Sequence, residues 1–140
     1  MHLAEHIHNH GAQLAASCTA CGACVVACPM TPHVPPLAAV LAQPGGAAAV
    51  AAGMRDVLQG GPGTPAALAW IGACSRSGLC TPACPEGLDA AVMLRLAVAR
   101  AKGALGEAPR LVLKADTQQM ARVKAFARLT LTEKEQAEWL

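Results

Sequence analysis

Seven cysteines, confined to two short stretches, are the residues of this chain with the most chemistry to offer. The first stretch reads Cys18-Thr-Ala-Cys21-Gly-Ala-Cys24-Val-Val-Ala-Cys28-Pro29, and the second Cys74-Ser-Arg-Ser77-Gly-Leu-Cys80-Thr-Pro-Ala-Cys84-Pro85. The first has the C-x2-C-x2-C-x3-C-P spacing with which thiolates hold a cubane iron–sulfur cluster. Three thiolates in one tight loop can each reach a separate iron at three corners of a cube, and Gly22 permits so sharp a turn. The fourth corner must be filled from elsewhere in the chain. In two-cluster proteins the fourth cysteine of such a run ligates the other cluster, and Pro29 turns the chain away from the first. The second stretch has the same skeleton with Ser77 where a cysteine would fall.

Exchanging the late cysteines gives two ligand sets. Cys18, Cys21, Cys24 and Cys84 hold cluster one, while Cys28, Cys74 and Cys80 hold cluster two. Three thiolates suit either a three-iron (3Fe-4S) cluster lacking one corner or a four-iron (4Fe-4S) cluster whose last iron takes Ser77, water or a partner's atom. A serine alkoxide is a poorer iron ligand than a thiolate, which favours the three-iron form. Zinc is the competing use of paired C-x2-C motifs. Against it stand the unbroken run of four spaced cysteines, the Cys-Pro closing both stretches, and the total of seven.

The elements that position these loops read as helices. Leu3, Ile7 and Leu14 share a helical face ahead of the first cysteine. Between the stretches lie three short apolar helices: one after Pro35 and Pro36, one over Ala47 to Leu58, and one capped by Thr64 with Pro65 at its first position. Pro44-Gly45-Gly46 and Gly60-Gly61-Pro62-Gly63 separate them. Leu88 to Lys102 reads as a buried helix behind the clusters, almost continuously apolar until Arg100 and Lys102 and closed by Gly103. A helix over about Asp116 to Leu129 follows, and Thr132 with Glu135 forms a capping box for a last short helix ending in Trp139. No alternation of strand type appears, so the fold class is all-α. Three parts are expected: an N-terminal helix over 1–17, a helical ferredoxin-like dicluster domain over 18–103, and a helical tail over 104–140 suited to docking a partner.

Composition agrees with a metal-supported fold. Hydrophobic residues make up 54% of the 140, but aromatics only 2%, so few large side chains are on hand for a core. Small domains in that position recruit metals or partner chains. A net charge of +2 without basic runs argues against nucleic acid or a polybasic membrane patch. No apolar run reaches the roughly 20 residues of a membrane span. MHLAEHIHNH lacks the features of a signal peptide. The expected location is the cytoplasm, where thiols stay reduced, with any membrane association made through partners. No nucleophile–base pair, phosphate loop or dinucleotide fingerprint appears, so no catalytic residue is assigned. His2, His6 and His10 fall at i, i+4 and i+8; a solvated face is the expected reading and a metal site the alternative. His33 and Arg76 lie near enough to the second ligand set to tune it, or else are solvated.

Cys74-x5-Cys80-x3-Cys84-Pro85-Glu-Gly-Leu88, joined to the first motif by a helical spacer from Pro29 to Ala73, resembles the second domain of succinate dehydrogenase and fumarate reductase iron–sulfur subunits. It is also similar to the small dicluster subunit of heterodisulfide reductase-type enzymes and of anaerobic glycerol-3-phosphate dehydrogenase. The resemblance covers about residues 14 to 103. It implies a non-catalytic electron-transfer subunit between a flavoprotein donor and a further redox subunit, and in the succinate dehydrogenase group the shorter motif holds a three-iron cluster. Two features depart from that group. The 17 residues before Cys18 contain no cysteine to hold the two-iron cluster found ahead of this domain in that group, and Met30-Thr31-Pro32 and Ser75 stand where an aromatic and a histidine flank the quinone. Ser77 departs from the heterodisulfide reductase-type subunits, which have four cysteines in both motifs. A free soluble ferredoxin and a cluster-based redox sensor are the other functions such a chain could serve.

Overall fold

The structure, a computed structural model, describes residues 2–111 and 119–139, with Trp139 described by its backbone. Among the described residues every regular element is a helix: α1 (Leu3–Ser17), α2 (Ala23–Ala27), a 3-10 turn (Thr31–His33), α3 (Pro35–Leu41), α4 (Gly46–Leu58), α5 (Pro65–Gly72), α6 (Cys80–Ala83), α7 (Ala90–Ala101), α8 (Gln119–Thr130) and α9 (Glu133–Trp139). None is long and apolar enough to cross a membrane.

The boundaries have local causes. Thr64 Oγ1 accepts from the Ala67 N–H at 3.1 Å and Pro65 opens α5. Helix α7 starts at Ala90, two residues later than the apolar run alone suggests. The Asp89 carboxylate caps it, accepting from the Val92 N–H at 3.1 Å. Gly103 closes that helix at φ 78°. At α9 the capping box is complete: the Thr132 N–H donates to Glu135 Oε2 at 2.8 Å, and the Glu135 N–H to Thr132 Oγ1 at 3.3 Å. The Thr132 N–H, and after it the Thr132 hydroxyl donating at 2.9 Å, hold the Glu135 carboxyl below its usual range. The expected start of α8 near Asp116 and the side chain of Trp139 lie outside the described residues.

Helix α4 is the hub, packed against α1, α2, α3, α5 and α7. Small residues allow that density of neighbours. A Cβ on Gly53 would come within 2.5 Å of the Ala67 Cβ, so α4 and α5 meet at nearly backbone distance. Trp70, Leu37, Met54, Leu58, Ile71 and Met93 fill the remaining volume, all fully buried. Arg100, which the sequence suggests as the polar end of an apolar run, is itself buried at 7% exposure. Its guanidinium donates to the Leu58 carbonyl at 2.8 Å and the Glu107 carboxylate at 2.8 Å, and lies 2.9 Å from His8 Nδ1. One cation thereby satisfies a carbonyl at the end of α4 and ties α1 to α7.

Two cavities walled by thiols

The two cysteine stretches adopt the same backbone at a constant offset of 56 residues. Cys18 matches Cys74, Ala20 matches Arg76, Gly22 matches Gly78, Cys24 matches Cys80, and Cys28 matches Cys84. Ala20 and Arg76 are the non-glycine residues with positive φ among those described, at 55° and 61°. That conformation turns each backbone N–H onto the preceding cysteine, 3.3 Å from Ala20 N to Cys18 Sγ and 3.4 Å from Arg76 N to Cys74 Sγ. Gly22 and Gly78 follow at φ 86° and 75°, and α2 and α6 then carry the chain to Cys28 and Cys84.

Folding brings the thiols together in two groups. Cys18, Cys21, Cys24 and Cys84 wall one small cavity, which Met54, Met93 and Glu86 also line. Cys28, Cys74 and Cys80 wall a second, which Ser77, Arg76 and Arg95 also line. Helix α7 runs behind both, giving Met93 to the first and Leu94 and Arg95 to the second. The groups adjoin, since the Cys24 thiol feels both Cys18 and Cys80.

The two loops differ in cover. A Cβ on Gly22 would sit 2.6 Å from the Ala47 carbonyl carbon and 2.7 Å from the Ala48 nitrogen, because the start of α4 roofs the first loop. A Cβ on Gly78 would meet nothing within 4 Å beyond its chain neighbours. Arg55 of α4 also donates to the Cys18 carbonyl at 2.9 Å. Ser77 is exposed, and its Oγ accepts only weakly from the Leu79 N–H, at 3.4 Å.

All seven cysteines are free thiols. Burial, reinforced by Cys18 and Cys80, pushes Cys24 up to about 12. Burial likewise raises Cys80, with Cys74 and Cys28 adding to it. Crowded, desolvated sulfurs become thiolates only when bound cations supply the opposing charge. Among the described residues no three His, Cys, Asp or Glu side chains converge on a point suited to one metal ion. Thiols spread around a cavity instead match a cluster, in which each sulfur meets its own iron. The donor set and its separation fit iron–sulfur clusters.

Other residues fall elsewhere. His6 and His10 stack at 6.3 Å between ring centroids, His8 faces Arg100, and His33 lines neither cavity. Sequence reasoning missed Arg95 and Glu86. Arg95 shares a helical face with Ala91 and Leu94, a signal visible only once α7 is known to back the second cavity.

Over residues 13–88, more than half of the chain, the sequence matches the family model described as a 4Fe-4S dicluster domain. A helical domain with two thiol-walled cavities and this match is an iron–sulfur electron-transfer module. The chain belongs to the 4Fe-4S dicluster domain family. No curated protein and no solved structure matches it.

Proposed function

We propose that this chain is the electron-transfer subunit of a multi-subunit oxidoreductase, passing single electrons between a flavoprotein and a further redox subunit. In that role it acts in the cytoplasm and resembles the helical ferredoxin domain of succinate dehydrogenase or the small subunit of heterodisulfide reductase-type enzymes. The observation that carries this is the pair of adjoining thiol-walled cavities, with Cys84 lining the cavity of the first loop and Cys28 that of the second. The ligand sets are then Cys18, Cys21, Cys24 and Cys84 for a four-iron cluster, and Cys28, Cys74 and Cys80 for a three-iron cluster. Bound there, the clusters supply reversible one-electron storage.

The chain's own residues divide the labour. Met54 and Met93 exclude water from the first cavity, while Arg76 and Arg95 place positive charge at the second. Cationic surroundings favour the more negative, reduced state, so the second site is the electron sink of the pair. Exposed Val26, at 74%, and Leu79, at 52%, flank the two loops and supply apolar surface for neighbouring subunits.

Electron paramagnetic resonance on anaerobically reconstituted protein tests this. A narrow, nearly isotropic signal in the oxidised state that disappears on reduction is expected from the three-iron cluster. The variant Ser77→Cys should lose that signal and gain a second four-iron signal on reduction. A wild-type protein silent when oxidised would overturn the three-iron assignment, and one without iron or acid-labile sulfide would overturn the whole reading.

A further inference from the structure

Helix α8 carries an apolar face that the other described residues leave unfilled. Val123, Phe126, Ala127, Thr130 and Leu131 recur at i, i+3, i+4, i+7 and i+8, the spacing of a core-facing helix. They line a cavity of about 540 Å³ whose opposite wall is Cys74, Ser75 and Arg76 of the second cysteine loop. Ala127 is buried, yet Phe126, the only phenylalanine of the chain, keeps 67% of its surface exposed and Val123 keeps 42%. Arg122 fastens the helix to the body by donating to the Gly72 carbonyl. The groove therefore has two walls, one on the apolar face of α8 and one made by the loop that carries Cys74.

Its rim is positive. The ionisable residues of α8 are Arg122, Lys124 and Arg128, all basic. At about 100° per residue, Arg122 and Lys124 flank the apolar face on its two sides. Arg76 faces them from the other wall, exposed and without a side-chain hydrogen bond or ion pair among the described residues. A basic occupant would add like charge beside Arg76 and Lys124, whereas carboxylates along its flanks would pair with those two.

Resting on the reading of Cys74 as a ligand of cluster two, we propose that this groove docks an acidic, amphipathic helix of the protein that exchanges electrons with that cluster. The apolar face of α8 runs for two turns, about 12 Å, and the groove is open along it, dimensions that suit a helix laid beside α8. Such a helix buries Phe126 and Val123, pairs acidic residues with Arg76 and Lys124, and shields the Cys74 side of cluster two from water.

The test uses the reconstituted full chain and a stapled, spin-labelled peptide of about 16 residues, long enough to stay helical, with leucines on one face and glutamates on the other. Its counterpart has lysine for every glutamate. The acidic peptide should bind at least about tenfold more tightly, with an affinity that falls as salt rises. Its nitroxide signal should broaden when cluster two is paramagnetic. Phe126→Ala should weaken binding about tenfold, and Lys124→Glu should narrow the preference for the acidic peptide, both with iron content and helicity unchanged. Equal binding of the two peptides, or binding indifferent to both substitutions, overturns the proposal. So does concentration-dependent dimerisation abolished by Phe126→Ala, which would assign the groove to the acidic α9 of a second copy. Reconstitution that loads no iron, with the two peptides still discriminated, would instead sink the cluster assignment, so the two failures read differently.

Discussion

At the residue scale, the two loop glycines separate conformation from crowding. Gly22 and Gly78 share a left-handed backbone, but only Gly22 lies under α4. Gly78→Ala should cost about 1–2 kcal/mol from backbone conformation and leave both clusters in place. Gly22→Ala adds a clash with the backbone of Ala47 and Ala48, and should cost more and lose the four-iron signal. Denaturant titration of the two variants with iron analysis checks this; equal losses would mean that the roof yields. Gly22 and the cysteines were legible in the sequence because their spacing is a local property of a loop. Arg95 and Glu86 were not, because what sets their importance is the cavity they border, which only the packing of α7 creates.

At the element scale, α7 is held to the second loop by a short relay. Thr81 Oγ1 donates to Asp89 Oδ1 at 2.9 Å and accepts from the Ala91 N–H at 3.1 Å, joining α6 to the first turn of α7. The Val92 N–H first, and Thr81 second, hold the Asp89 carboxyl below its ordinary value. Its contribution is therefore present above the unfolded value of 3.8 and fades as pH falls through the lower folded one. Asp89→Ala should cost about 1 kcal/mol as a lost cap and, because α7 backs both cavities, should broaden the spectra of both clusters. Thermal melts and resonance linewidths would show it, and an unaltered cluster-two linewidth would mean that α7 is fixed by other contacts. The helices between the cysteine stretches were legible from prolines, glycines and Thr64, whose effects reach only a few residues. The burial of Arg100 was not, since its partners Leu58, His8 and Glu107 come from three separate segments.

At the scale of the whole molecule, two cavities interrupt a core made largely of small side chains, so cluster binding and folding are one equilibrium. Removing iron with a chelator should lower the melting temperature and the cooperativity of unfolding. The cluster-free protein should also show an alkaline weakness. Burial lifts Cys24 from 9.0 to about 12, so below pH 9 the thiol is protonated whether folded or not. Between those values the unfolded chain ionises first and draws the equilibrium towards itself. The melting temperature of the cluster-free protein should therefore fall more steeply from pH 9 upward than that of its Cys24→Ala variant; parallel slopes would contradict the burial argument.

The 56-residue offset between the loops also bears on ancestry. On the proposed ligand sets each loop sends its last cysteine across to the other's cavity, so neither half is self-sufficient. A forebear with one such loop would have held clusters only by pairing with an identical chain and trading that cysteine across a two-fold axis. Fusion of the two copies would make the trade internal and free each half to drift on its own, the circumstance in which one loop keeps Cys21 while the other carries Ser77.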